Sequence, residues 1–268
     1  LNITGGSAKE ESYSAGAGIH VSNGRVVLQL CRVYANSGLF GGGVAIIDGT
    51  VSLDNCEIDG NMAQSRGGGL FVMGGSVVAS ACTIHGNQVT TPGERRRMDG
   101  HEGDADDGPV ADGGGVAVGG GTILMNRTAI YQNQAVNGGG LYVQEAQATI
   151  LDSSIFSNTG DYGGGMHLAE NAASPLQLRG CEIHDNVATM EGGGALVDDT
   201  VVAFQTSEFF GNVAPMGSAL YITDGSTVTS YCVPIDGSVA GTRAADECPY
   251  SPPSPPSAPP PSPPSPWQ

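Results

Sequence analysis

An asparagine three positions after a β-branched or aromatic residue recurs seven times along this chain. The copies are Val33-x-x-Asn36, Ile58-x-x-Asn61, Ile84-x-x-Asn87, Ile130-x-x-Asn133, Ile155-x-x-Asn158, Ile183-x-x-Asn186 and Phe209-x-x-Asn212. Successive Asn residues lie 25, 26, 46, 25, 28 and 26 positions apart, a single period broken by one long interval. Each of the first six Asn is followed by a glycine triplet and an apolar residue, at Gly41–Val44, Gly67–Leu70, Gly113–Val116, Gly138–Leu141, Gly163–Met166 and Gly192–Ala195. Weaker copies stand at Gly16–Ile19 and Gly217–Leu220. A fixed period of this length means a solenoid, in which each repeat buries its apolar face only against its neighbours.

The side chains say which solenoid. Val51-x-Leu53-x-x-Cys56-x-Ile58 and Leu70-x-Val72 alternate in steps of two, which is strand behaviour. Helical repeats need long apolar residues at helical spacing, and the chain has none in that pattern. Stacked coils about 4.8 Å apart turn every inward position into a ladder. Cys31, Cys56, Cys82 and Cys181 lie five residues before their Asn, and Thr128, Ser153 and Ser207 hold the same place in other coils. This predicts an inward ladder of small side chains, its thiols buried as small hydrophobes. Asn36, Asn61, Asn87, Asn133, Asn158, Asn186 and Asn212 form a second ladder at a corner, bonding one another or adopting a left-handed turn. The expected fold is all-β: a single-stranded parallel β-helix of about eight coils, roughly 38 Å long. Residues 1–14 are expected to cap it, 15–250 to form it with an insertion at 90–112, and 251–268 to extend from it as a tail.

The paired motifs resemble the Gly-Gly-Ala-Ile and Phe-x-x-Asn repeats of chlamydial-type polymorphic outer-membrane proteins. That resemblance implies a right-handed β-helix. Here the glycine motif reads Gly-Gly-Gly-Val or Leu, and Phe209–Asn212 alone keeps the Phe.

Residues 251–266 carry ten of the sixteen prolines. Without amide donors such a segment cannot join a sheet and is expected to adopt polyproline II. It resembles the hydroxyproline-rich segments of pherophorins and extensins. The resemblance implies hydroxylation and O-glycosylation at Pro252, Pro253, Pro255, Pro256, Pro259, Pro260, Pro261, Pro263 and Pro264; an unmodified linker is the alternative. Sequons at Asn2 and Asn126 offer N-glycosylation. Cys232 and Cys248 fall outside the ladder and are expected to pair, which requires an oxidising compartment. The chain begins at Leu1 without a signal-peptide core and reads as processed or partial.

A formal net charge of −17, with a single Lys, excludes nucleic acid and anionic membrane surfaces as partners. No apolar run is long enough to span a bilayer. Within the insertion, Asp104, Asp106, Asp107 and Asp112 suggest calcium without EF-hand spacing, and a solvated loop suits them better. No other cofactor is expected. For catalysis, Glu182 and Glu208 occupy equivalent outward positions on adjacent coils with Asp185 nearby, but acidic pairs are common on such a surface. His20, His85, His167 and His184 read as surface residues. Outward aromatics recur at Tyr34, Tyr131, Phe156 and Phe210, and again at Phe71, Tyr142 and Tyr221, as stripes suited to docking proline-rich chain. The expectation is a secreted structural glycoprotein that self-associates into a fibre or cell-wall layer. The alternatives are a carbohydrate-binding adhesin and a polysaccharide lyase or hydrolase.

Overall fold

The computed structural model describes residues 1–8, 16–90, 111–170 and 176–241. Among these there is no helix, and every strand pairs in parallel with its counterpart one coil away. Three sheets wrap the rod. Eight strands from Asn2–Thr4 to Glu208–Phe210 form one face, here the ladder face. Nine, from Ile19–Val21 to Val239–Ala240, form the glycine face. Eight five- or four-residue strands, from Arg25–Gln29 to Thr227–Tyr231, form the long face. Short sheets of three and two strands close the side between the Asn corner and the glycine corner.

Alternation decides what is inside. Thr122–Asn126 buries Ile123 and Met125 and turns Leu124 outward, and its neighbours do the same in register. Val33, Ile58, Ile84, Ile130, Ile155, Ile183 and Phe209 stack as one inward column. Two corners each place one residue in the left-handed region. Before the small-residue ladder these are Leu30, Asn55, Ala81, Arg127, Asp152, Gly180 and Thr206; before the Asn ladder, Ala35, Gly60, Gly86, Gln132, Ser157, Asp185 and Gly211. The turn therefore belongs to the residue preceding each Asn. A side chain held there costs about 1–2 kcal/mol, and the hydrogen-bonded coils above and below hold it in place.

Each Asn points inward and is buried. Its Nδ2 donates to the Oδ1 of the next Asn at 3.0–3.1 Å, unbroken from Asn36 through Asn61, Asn87, Asn133, Asn158 and Asn186 to Asn212. The same amide donates to a backbone carbonyl one coil back, as from Asn133 to Ile84 at 3.0 Å. This ladder explains the glycine triplets. At Gly113 φ is +64°, a Cβ on Gly114 would lie 2.5 Å from the Gln134 amide nitrogen, and one on Gly115 would lie 2.8 Å from Asn133 Nδ2. The two motifs are halves of one packing unit.

Residues 1–8 continue the coil pattern. Asn2–Thr4 pairs in register with Arg32–Tyr34, and the Gly6 amide donates to Asn36 Oδ1 at 2.9 Å, from the place an Asn holds elsewhere. The insertion core at 91–110, Cys248 and the tail lie outside the described residues.

Candidate functional site

On the ladder face the third residue of each strand points outward, and Tyr34, Asp59, His85, Tyr131, Phe156, His184 and Phe210 are successive register partners. From His85 onward the rings stack on one another. Centroids are 4.7 Å apart for His85–Tyr131, 4.8 Å for Tyr131–Phe156, 5.0 Å for Phe156–His184 and 4.6 Å for His184–Phe210, with planes within 12° of parallel. Coil spacing and ring-stacking distance coincide, so the column forms by register alone. Each ring covers its neighbour's face, leaving ring edges to solvent. The two histidines belong to this column, and their equal offset from the Asn was the signal that places them there.

Below His85 the column turns ionic. Arg32 donates to both oxygens of Asp59, Nε to Oδ1 at 2.8 Å and Nη2 to Oδ2 at 2.7 Å. Its Nε also lies 3.4 Å from Glu57 Oε2, and its guanidinium sits 4.7 Å over the Tyr34 ring. The hydrogen bond to Asp59 leads in raising the Arg32 pKa. His85 Nε2 is 3.1 Å from Glu57 Oε1. Beside this cluster lies a shallow depression of about 470 Å³, bounded by Leu30, Asn55, Glu57, Thr83 and Tyr131.

At the other end of the face Glu182 and Glu208 are register partners, both exposed. Asp185 Oδ2 lies 2.9 Å from His184 Nδ1, and no Lys or Arg among the described residues pairs with either glutamate. They stand beside the stacked rings on the ladder face.

The glycine face behaves differently. Its outward column is buried from Ala45 through Phe71, Ala117, Tyr142 and His167 to Leu196, while at its two ends His20 is exposed and Tyr221 half-buried. This corrects the reading of Phe71 and Tyr142 as a surface stripe and of His167 as a surface residue. The glycine corner lets the preceding column fold back over the sheet: Phe40 stacks on Phe71 at 5.3 Å, and Arg66, Asp112 and Asn137 follow in register. Asp112 is wholly buried, with Arg66 Nε 3.0 Å from Oδ2 as an ion pair out of line for a hydrogen bond. Asn137 Nδ2 donates to its Oδ1 at 2.9 Å. Burial pushes the Asp112 carboxyl above the usual range although Arg66 opposes it. Asp112 is thus part of the coil and is sealed from solvent, so it is withdrawn as a calcium ligand; Asp104, Asp106 and Asp107 lie outside the described residues. His167 meets Tyr142 edge-on at 5.2 Å, and its Nε2 is 3.8 Å from Asp198 Oδ2, too far for a hydrogen bond. The His167 ring nevertheless leads in holding Asp198 below the usual carboxylate range, helped by the Thr223 hydroxyl donating at 2.7 Å.

Cys31, Cys56, Cys82 and Cys181 are buried free thiols. Burial raises Cys56 and Cys181 and pushes Cys82 up to about 11, which leaves little thiolate for chemistry. Cys232 is disulfide-bonded. Asn2 is exposed; Asn126 is half-buried on the long face, while Thr128 of its sequon points into the core.

No curated protein and no solved structure matches this chain. Residues 12–232 match the family described as right handed beta helix region, which covers most of the chain, and the protein belongs to that family.

Proposed function

We propose that this chain is an extracellular structural glycoprotein, the protomer of a fibre or a cell-wall layer, without catalytic activity. The observation that carries this reading is the ring column. Its aromatic faces are turned on one another from His85 to Phe210, so they stiffen the rod and are not presented to a sugar. The Asn ladder does the same inside. Repetitive, minimal coils suit lateral or end-to-end packing better than a walled cleft. Assembly runs through the coil ends and the proline-rich tail. At about 3.1 Å per residue in polyproline II, residues 251–266 would reach about 50 Å, longer than the rod of about 38 Å. A head-to-tail contact of this kind does not close and propagates as a filament. The exposed ring edges of Tyr131, Phe156 and Phe210 are its docking surface, in place of the buried Tyr142. The test is deletion of residues 251–268 followed by electron microscopy. Isolated rods are expected; filaments that persist unchanged would refute assembly through the tail.

A further inference from the structure

We propose that Glu57, Asp59 and His85 form a binding site for a zinc-type divalent cation, with Arg32 as the counter-ion that the metal displaces. Glu57 and Asp59 are two apart on one strand and so share its outward face, while His85 is the register partner of Asp59 on the next coil. One ligand atom from each residue lies within 4.8 Å of the others. The closest pair, His85 Nε2 and Glu57 Oε1 at 3.1 Å, is already near the separation set by a tetrahedral ion with bonds of about 2.0–2.2 Å. Rotation of the Asp59 carboxylate, released from Arg32, brings in the third donor.

The donor set selects the metal. One imidazole and two carboxylates suit zinc and its transition-metal neighbours, whereas calcium takes six to eight oxygens. The ring is pre-oriented: stacking on Tyr131 with planes 4° apart turns its Nε2 edge toward Glu57, the service that an outer-shell partner performs in metal sites. The neighbouring depression of about 470 Å³ touches Glu57 and leaves room for solvent ligands. Leaving costs Arg32 its two hydrogen bonds to Asp59, whose side chain is 13% exposed, but the guanidinium itself is 45% exposed and regains water, and its 3.4 Å contact with the exposed Glu57 is weak. The Tyr34 ring at 4.7 Å gives the freed guanidinium a second place to rest.

The experiment is calorimetric titration of ZnCl₂ into the full chain, stripped with chelator, at neutral pH. One tight site per chain is expected. His85→Phe keeps a ring in the stack and removes the ligand nitrogen, so it should weaken this site about tenfold or more. Arg32→Ala removes the competing cation and should tighten it. Absence of zinc binding, affinity unchanged in His85→Phe, or weaker binding in Arg32→Ala would each overturn the proposal. CaCl₂ binding with equal affinity and equal sensitivity to His85→Phe would overturn the choice of metal.

Discussion

The ladder face and the glycine face carry the same alternating signature, with apolar residues inward and an aromatic or histidine outward, yet they differ in what outward means. On the ladder face Phe156 and Phe210 keep their edges in water. On the glycine face Phe71 and Tyr142 point away from the core and are still buried. The difference lies in the corner that precedes each face. A single left-handed residue before Cys56 or Thr128 opens the chain outward. The glycine triplet turns it sharply enough for Phe40, Arg66 and Asp112 to lie over the next strand. Direction from the core and exposure to solvent are separate properties, joined only where nothing folds back.

Substitutions at the corners test this account most severely. Gly114→Ala places a Cβ against the backbone of two segments of the neighbouring coil, at Gln134 and Gly139. It should cost about 3–5 kcal/mol in denaturant unfolding, because neither segment can retreat. Gly60→Ala, at φ +58° with open space around it, should cost only about 1–2 kcal/mol of backbone strain. Equal costs at the two sites would remove the distinction between a packed and an open corner.

Truncating one ring on each face gives a smaller contrast. Phe71→Ala, from a position 4% exposed, should cost about 3–4 kcal/mol. Phe156→Ala empties a half-solvated stack and should cost about 1–2 kcal/mol. If Phe156→Ala proved the more damaging, the ring column would be core in all but position.

The smallest effect concerns pH. Burial raises Asp112 above the ordinary value of 3.8, so the folded state prefers it protonated. Its contribution to stability is therefore fully present below that value and is lost as pH rises through the raised pKa. Asp112→Asn lacks this titration. The Tm of the variant minus that of the wild type should climb with pH across the window, by no more than about 1.4 kcal/mol per pH unit in free-energy terms. A flat or falling difference would mean that Arg66, 3.0 Å away, outweighs burial.

Much of this was legible in the residues. The spacing of Val33-x-x-Asn36 and its copies determined the period, the parallel stacking and the two inward ladders, because a coil that repeats in register leaves each position a single kind of neighbour. The ring column could be found from the same offset, once histidine is counted with the aromatics. Asp112 was different. By sequence it closes an acidic insertion; in the fold it bridges Arg66 and Asn137 across coils. Nothing local distinguishes those two environments. The sequence alone determined which residues face the core, since alternation and period are properties of a chain. Only the tertiary structure decided which outward residues are covered, and which charges meet at Glu57, Asp59 and His85. Burial and ion pairing depend on segments that corners and register bring together from different coils.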